Sequence, residues 1–341
     1  MQKKPSRSTA ILFLALLALV AFFCVERMGQ AVPPRPPGEG DVVMYEAMID
    51  DLRSGTDYYD AIGGELRRRG YATREVFNWR TPLLMTSLAT VPDAVSRQIL
   101  IGLAVFLTVA TYFTASPGGW RWLSVLMQAG GIALFAGTDL RVMGEPWSGV
   151  IIGLSVCAFL AGWRIPAIAL GLLALFVREL AAPYCVVCAL MASRDRRWRE
   201  LAVWMGGFVG YALYYAWHLM HVVAQRLPGD IAHPTSWLEF GGLVALVGKI
   251  HWQGWLVLLP IGFSIPALLV LITGAVWSRA HPLVRVATAA YLIVFYLAGK
   301  PFDWYWGMMA WPVWAQGFGG GVEGLMTLVA AAVGPPTSDE Q

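Results

Sequence analysis

The sequence predicts an all-α polytopic membrane protein with about ten transmembrane helices and a long first loop. Hydrophobic residues make up 57% of the 341 positions and charged residues only 14%, whereas soluble domains typically carry about 25% charged residues. Apolar runs recur along the chain after residue 97, and the stretch 29–97 is the longest one without such a run. The net charge of +3 is ordinary for a membrane protein whose cations set its orientation, so no nucleic-acid partner is expected.

The chain opens with cations in front of an apolar run. Lys3, Lys4 and Arg7 precede residues 9–24, and the proline-rich segment 32–37 follows. A cleaved signal peptide needs a small-residue cleavage site, and none is evident before the prolines. We therefore expect an uncleaved anchor with its N-terminus in the cytoplasm, which puts the first loop in the bacterial periplasm.

Helical spacing recurs twice inside the first loop, and Gly70 follows the second pattern after three arginines. The first pattern predicts an amphipathic helix, and so does the second. A glycine after cations is typical of a helix C-terminus. The apolar positions of the two patterns are Tyr45, Met48, Ile49 and Leu52, and then Tyr58 or Tyr59, Ile62 and Leu66.

Further apolar runs follow the loop, and several are shorter than the ~20 residues that a perpendicular membrane helix needs. We expect a break near Arg178 and Pro183, because only an out-and-back pair of segments returns the basic cluster 194–199 to the cytoplasm. The runs lie at about 98–115, 120–137, 147–162, 165–177, 182–193, 201–223, 253–277, 283–298 and 319–333.

The predicted topology divides the chain into four segments. They are an N-terminal anchor (1–28), a periplasmic first loop (29–97), a transmembrane bundle (98–334) and a cytoplasmic tail (335–341). The first loop shares the periplasmic side with the turns around 139–147, 224–252 and 299–306.

Ionisable residues near the periplasmic membrane face are the candidates for chemistry. Charged groups at membrane depth are costly and usually mark a substrate path. We expect Arg80, Arg178 and Lys300 to pair with an anionic headgroup such as a lipid-linked phosphate, which guanidinium groups bind well. Acids at the same face, such as Asp41 and Glu145, supply the opposite charge.

Two short motifs resemble those of the GT-C superfamily of membrane glycosyltransferases. Asp41-x-x-x-Tyr45 follows the anchor, and Arg80-x-Pro82-Leu83 precedes the next apolar run. Together they resemble the D-E-x-x-Y and K-P-P-L patterns of that superfamily. The resemblance is nearest to the branch of lipid A aminoarabinose transferases and protein O-mannosyltransferases.

The resemblance implies roles for individual residues. Asp41 would be the general base, Arg80 would contact the phosphate of a polyprenyl-phosphate sugar, and Glu145 is similar to the acid of a D-x-P element. Val42 stands where the family has a second acid, Arg80 replaces a lysine and Thr81 replaces the first proline. A metal-binding acid pair is therefore not implied.

The implied activity is inverting sugar transfer at the periplasmic face of a bacterial inner (plasma) membrane. The donor would be a polyprenyl-phosphate sugar, and the acceptor a hydroxyl of a lipid, glycan or protein, with no cofactor and no metal. A carboxylate takes the acceptor proton while the sugar leaves its phosphate. Asp41 is the catalytic candidate, and the substrate-binding candidates are Tyr45, Arg80, Glu145, Arg178, Glu179, Lys300, Tyr59 and Asp60.

Structural explanations stay open for the acids. Asp41 can be an N-cap of a helix that starts at Val42. Asp57 or Asp60 can be the catalytic acid instead. Glu145 can be a helix-start residue that the macrodipole favours.

The cations have structural explanations as well. Arg80 can be an interfacial side chain that reaches towards water. Arg178 and Glu179 can pair only with each other. Lys300 and the aromatic residues 304–306 can belong to the aromatic belt of a membrane interface.

Other functions also remain open. A flippase or transporter of lipid-linked carbohydrate would use similar cations, although repeated halves, common in transporters, are not evident. A membrane protease or thiol oxidoreductase would need a reactive thiol from Cys185-x-x-Cys188, which we interpret as buried packing. His218-x-x-His221 has no third metal ligand in evident register.

Overall fold

The computed structural model describes residues 5–28, 40–232, 239–300 and 303–334. About 80% of these residues are helical and none forms a β-strand, which confirms the all-α prediction. The cations at positions 3 and 4, the segment 32–37 and the tail 335–341 lie outside the described residues. The helices are α1 Arg7–Met28, α2 Asp41–Arg53, α3 Tyr58–Arg68, α4 Pro82–Ala89, α5 Asp93–Thr114, α6 Arg121–Gly137, α7 Gly144–Leu160, α8 Arg164–Val177, α9 Ala182–Arg194, α10 Trp198–Ala224, α11 Gly242–His251, α12 Ser264–Val276, α13 Pro282–Leu297 and α14 Gly307–Val333.

The two amphipathic helices predicted in the first loop are confirmed as α2 and α3. α2 buries Tyr45 and Met48 on one face, and α3 ends at Arg68, shortly before Gly70. Gly70 has φ +70°, a left-handed conformation that glycine adopts without a Cβ penalty. α4 is an additional helix of this loop, and Pro82 at its start is suited to a first helical turn.

The predicted break between two short helices is also confirmed. α8 ends at Val177, a 3₁₀ turn covers Glu179–Ala181, and α9 begins at Ala182. Pro183 lies in the first turn of α9, where its fixed φ favours a helix start. Arg178 has an extended backbone between the two helices.

Two other boundaries differ from the prediction. The run 253–277 was expected to be one span, but 3₁₀ turns at Gly254–Leu258 and Ile261–Phe263 precede α12. Pro260 between these turns lacks the N–H that a continuous helix requires. α11 occupies part of the expected loop 224–252, and α14 starts well before the run 319–333.

By length and apolarity, α1 and α5 are the helices of the described chain that could each cross a membrane. The sequence predicted about ten spans. Shorter apolar segments of 10–17 residues account for much of the difference. At about 1.5 Å per residue, a helix of that length falls short of a ~30 Å hydrocarbon layer. These segments are Gly144–Leu160, Arg164–Val177, Gly242–His251, Ile261–Val276 and Pro282–Leu297.

Close helix packing centres on α14, which contacts α6, α7 and α12. A side chain at Gly319 would clash with the carbonyl of Trp120, and one at Gly149 would clash with that of Met308. Small residues at such positions let helix backbones approach each other. The packed centre fixes the helix ends that carry the charged candidates.

Candidate functional site

Residues from separate segments meet at the end of the bundle that carries the first loop. Tyr45 lies on α2, Arg80 precedes α4, Glu145 is in the first turn of α7, and Arg178 and Glu179 join α8 to α9. All but Glu145 line one narrow, partly open recess, and Glu145 bonds to Arg178 beside it. We call this space the recess.

Arg80 has an unusual backbone conformation with φ +50°. Left-handed geometry costs a residue with a Cβ about 1–2 kcal/mol. Strain of this kind persists where surrounding bonds hold it, often at functional sites. Here the Tyr58 hydroxyl donates to the Arg80 carbonyl at 3.1 Å, while Arg80 Nε donates to the Tyr45 hydroxyl at 2.7 Å.

The Arg80 guanidinium is incompletely paired. Nη1 donates to the Phe77 carbonyl at 2.8 Å, and Nη2 has no hydrogen-bond partner in the described part of the chain. Burial raises the pKa of Tyr45 to about 12, although the charge of Arg80 opposes this. The phenol is therefore a neutral acceptor for Arg80, and one guanidinium amine is left for a ligand.

Arg178 is fully engaged by two acids. Its Nε and Nη2 contact Glu145 Oε1 at 2.9 and 2.8 Å, and its Nη1 contacts Glu179 Oε1 at 2.7 Å. Arg178 and Glu145 are buried, whereas the Glu179 side chain is 27% exposed. The explanation that Arg178 and Glu179 pair only with each other is wrong, and Arg178 orients two carboxylates at the recess.

Asp41 is the first residue of α2, and Gly40 is the N-cap without a side-chain bond. The explanation of Asp41 as the N-cap is therefore wrong. Its Oδ1 accepts a hydrogen bond from the Tyr71 hydroxyl at 2.9 Å, and its Oδ2 has no partner among the described residues.

Asp41 and Arg80 are both neighbours of Tyr45. Tyr45 lies one helical turn after Asp41 on α2, and its hydroxyl accepts a hydrogen bond from Arg80 Nε at 2.7 Å. The two residues of the first-loop motifs are therefore close in space although they are far apart in the sequence.

Tyr59 and Asp60 lie away from the recess lining, against α10. The Tyr59 hydroxyl hydrogen-bonds to His218 Nδ1 at 3.0 Å, and Asp60 accepts from the Gln225 side-chain amide at 2.8 Å. Asp57 caps α3 by accepting from the Tyr59 backbone N–H at 2.9 Å. Asp57 is thus held by a bond to its own helix, and Asp60 by a bond to the C-terminal end of α10.

A second charged group adjoins the recess and includes two residues that the sequence interpretation missed. Lys249, Lys300 and Asp303 are all buried, and the Lys300 backbone N–H donates to Asp303 Oδ2 at 3.1 Å. Burial raises the pKa of Asp303, while the charges of Lys249, Arg80 and Lys300 oppose this.

Lys249 is the less expected member of this group. Its Nζ is buried, has no hydrogen-bond partner among the described residues and lies 5.4 Å from the centre of the Trp306 ring. That ring is itself buried, which is unlike an interfacial belt. A lone cation inside the apolar stretch 242–250 was the signal that could have identified Lys249 in the sequence.

The remaining candidates are the cysteine pair and the histidine pair. Cys185 and Cys188 are buried free thiols, as the packing interpretation predicted. Within the described ranges, no group of three or more His, Cys, Asp or Glu side chains could hold a metal ion. His218 bonds to Tyr59 instead.

Comparison of the chain with models of known protein families, with curated proteins and with solved structures yields no match.

Proposed function

We propose that the protein is a polytopic membrane glycosyltransferase of GT-C type. It transfers a sugar from a polyprenyl-phosphate donor to an acceptor hydroxyl at the periplasmic face of the inner membrane. The motifs around Asp41 and Arg80 provide the resemblance, and the observation that carries the proposal is the contact of both motifs at Tyr45, which lies one turn after Asp41 on α2 and accepts a hydrogen bond from Arg80 at 2.7 Å.

The distribution of side chains supports a membrane location. Phe113 is 74% exposed and Leu213 67% exposed, whereas Glu145 and Gln128 are buried. Lipid tails favour apolar outer surfaces, and charged residues in membrane proteins face the bundle interior. The short apolar helices then cross the membrane in combination with neighbouring segments.

The reaction is a displacement at the anomeric carbon. The acceptor oxygen forms a bond to that carbon as the bond from carbon to the phosphate oxygen breaks. The free oxygen Oδ2 of Asp41 takes the acceptor proton, and the bonding electrons remain on the leaving phosphate. Positioned cations stabilise this developing charge, and the open Nη2 of Arg80 is suited to that task.

Further buried cations and acids near Arg80 extend the proposed site. Lys249 and Lys300 supply further positive charge for the phosphate near Asp303. Arg178 is already paired, so it positions Glu145 and Glu179 as acceptors for sugar hydroxyls. The arrangement needs no nucleotide and no metal ion to activate the leaving group.

The direct test is sugar transfer by the full-length protein in lipid nanodiscs, with prenyl-phosphate sugars as donors. Loss of a general base typically lowers turnover by about 10² to 10⁴-fold, and we expect this for Asp41→Asn. Asp51→Asn is the matched control, because Asp51 is on the same helix and its side chain is partly exposed. A folded Asp41→Asn protein that transfers sugar at the wild-type rate would refute the role of Asp41.

Transport of the intact donor across the bilayer without any transfer would instead favour the flippase. That outcome is measured in sealed vesicles with a labelled lipid-linked sugar.

A further inference from the structure

Among the described residues, three polar atoms on one face of α10 are buried and have no hydrogen-bond partner. They are the hydroxyls of Tyr211 and Tyr215 and the Nε2 of His218. Spacings of four and three residues place these side chains in one row along a helix. We call this row the α10 stripe. Unpaired buried polar groups are costly and are rare in native proteins, so three in one row indicate a missing ligand.

The α10 stripe adjoins the recess. All three of its side chains lie in the electric field of Glu179, which lines the recess. The Tyr215 ring is 6.2 Å from the ring of Phe77, whose carbonyl holds Arg80. A ligand on the stripe therefore lies next to the group that would bind the donor phosphate.

The stripe is also held in place. The Tyr59 hydroxyl fixes the His218 ring through Nδ1 at 3.0 Å, so Nε2 has a defined direction. Tyr211 packs edge-on against Phe176 at 5.5 Å between ring centres. Preorganised polar groups among aromatic rings are typical of small-molecule sites.

The chemistry of these groups favours a neutral ligand with many hydroxyls. Phenols can donate and accept hydrogen bonds, and one imidazole nitrogen can do either, depending on the tautomer. Aromatic faces add apolar surface, and Glu179 adds an acceptor. An anion would instead be drawn to Arg80 and Lys249.

We propose that the α10 stripe binds a pyranose ring, with Tyr211, Tyr215 and His218 contacting its hydroxyls. This proposal rests on the proposed function, because it assigns the sugar position of the same site. The ring belongs either to the lipid-linked donor or to a glycan acceptor, and these two sources share the same chemistry.

The test measures ligand affinity of the full-length protein in nanodiscs. The donor probes are farnesyl phosphate and its mannosyl and glucosyl derivatives, and the acceptor probes are the p-nitrophenyl glycosides of the same sugars. We expect the double variant Tyr211→Phe/Tyr215→Phe to weaken binding of one sugar class by about tenfold or more. Binding of farnesyl phosphate itself stays at the wild-type level.

Tyr214→Phe is the matched control on the same helix. Its hydroxyl already accepts from the Leu83 backbone N–H at 3.1 Å, so its removal leaves sugar affinity unchanged and lowers the unfolding temperature. The double variant removes only unpaired hydroxyls, and its unfolding temperature does not fall. If the α10 stripe had a structural role instead, the double variant would lower the unfolding temperature and Tyr214→Phe would not.

The outcomes separate the two proposals. Weakened binding of the farnesyl-phosphate sugars supports a donor position, and weakened binding of the glycosides supports an acceptor position. Wild-type affinity of the double variant for both classes, or no binding of either class by the wild-type protein, overturns the inference. Failure of the protein to bind farnesyl phosphate contradicts the proposed donor, whereas the glycoside result still decides the role of the stripe.

Discussion

Two arginines of the first loop differ in the groups that they contact. Arg67, on α3, contacts Asp230 Oδ1 at 2.8 Å and Oδ2 at 3.1 Å, donates to the Gln225 carbonyl at 2.7 Å and lies over the Trp79 ring. Arg80 has a left-handed backbone, and in the described part of the chain its side chain donates to a phenol and a carbonyl. The first arginine is therefore paired with an acid, whereas the hydrogen bonds of the second go to neutral oxygens.

This difference distinguishes an arginine that supports the fold from one that we propose to bind a ligand. The Arg67–Asp230 pair joins the first loop to the segment after α10, and the carbonyl of Ile231 accepts from the N–H groups of Thr73 and Arg74 nearby. Arg80 is held in a costly conformation beside the recess. Pairing with a buried acid supports a structural role for Arg67, and the strained backbone of Arg80 is consistent with its proposed role in ligand binding.

The largest expected effect tests whether Arg178 supports the fold, as Arg67 does, although Arg178 lines the recess. Arg178→Ala leaves Glu145 buried without its cation, and breaking a buried pair costs about 3–5 kcal/mol. We expect a loss of this size in the free energy of unfolding, measured by chemical denaturation in detergent. Glu179→Gln is the control with a smaller loss, because Glu179 is partly exposed. Equal free energies of unfolding of the wild type and Arg178→Ala would contradict this supporting role of Arg178.

The Arg67–Asp230 pair should give the next largest effect. Hydrogen bonds to charged groups contribute about 1.5–3 kcal/mol, so Asp230→Asn should lose an amount in this range. A double-mutant cycle with Arg67→Ala isolates the pair. If the losses of unfolding free energy in the two single variants simply add up in the double variant, the contact between Arg67 and Asp230 is contradicted.

The same pair predicts a pH dependence. The hydrogen bond from Arg67 holds the pKa of Asp230 well below its usual range, whereas the unfolded value is about 3.9. A depressed pKa in the folded state stabilises the protein above pH ~4, and this contribution is lost as the pH falls further. The stability difference between the wild type and Asp230→Asn should therefore be constant near neutral pH and shrink below pH ~4. A difference that grows on acidification would contradict this sign.

Backbone strain at Arg80 predicts a smaller effect, which is a difference in stability between two variants that both lack the arginine side chain. Glycine tolerates φ +50°, whereas alanine pays about 1–2 kcal/mol for it. Arg80→Gly should therefore be more stable than Arg80→Ala by about 1 kcal/mol, and both should lose affinity for farnesyl phosphate. Equal unfolding temperatures of the two variants would argue that this position is not strained.

The smallest effect is expected for an exposed pair of the same loop. Asp51 is 42% and Arg68 62% exposed in the side chain, and the charged groups are 4.0 Å apart. Exposed pairs contribute about 0–1 kcal/mol. Asp51→Asn should change the unfolding free energy by less than about 0.5 kcal/mol, and a larger change would require another partner for Asp51.

The sequence predicted those features that depend on local pattern. The period of the apolar side chains indicated α2 and α3, and Pro183 marked the break beside Arg178. The grouping of Tyr45, Arg80 and Glu145 followed from the placement of helix ends on one side of the membrane. Each of these predictions needed only spacing or topology.

Features that depend on tertiary contacts were not predictable in this way. Nothing local shows that Arg178 bonds to Glu145, which is far away in the sequence, or that Tyr59 contacts His218 rather than the recess. Lys249 was missed because α11 lies in a segment that was interpreted as a loop. The left-handed backbone of Arg80 has no signal in residue type, since arginine rarely adopts it.

The most direct test of the central claim is an experimental structure of the full-length protein with a bound prenyl-phosphate sugar. We predict that a phosphate oxygen lies about 2.7–3.1 Å from Arg80 Nη2, with the anomeric carbon facing Asp41. Binding of the phosphate elsewhere, such as in the separate pocket beside Arg121 at the α5–α6 turn, would contradict the account. A sugar whose anomeric carbon faces away from Asp41 would contradict it equally.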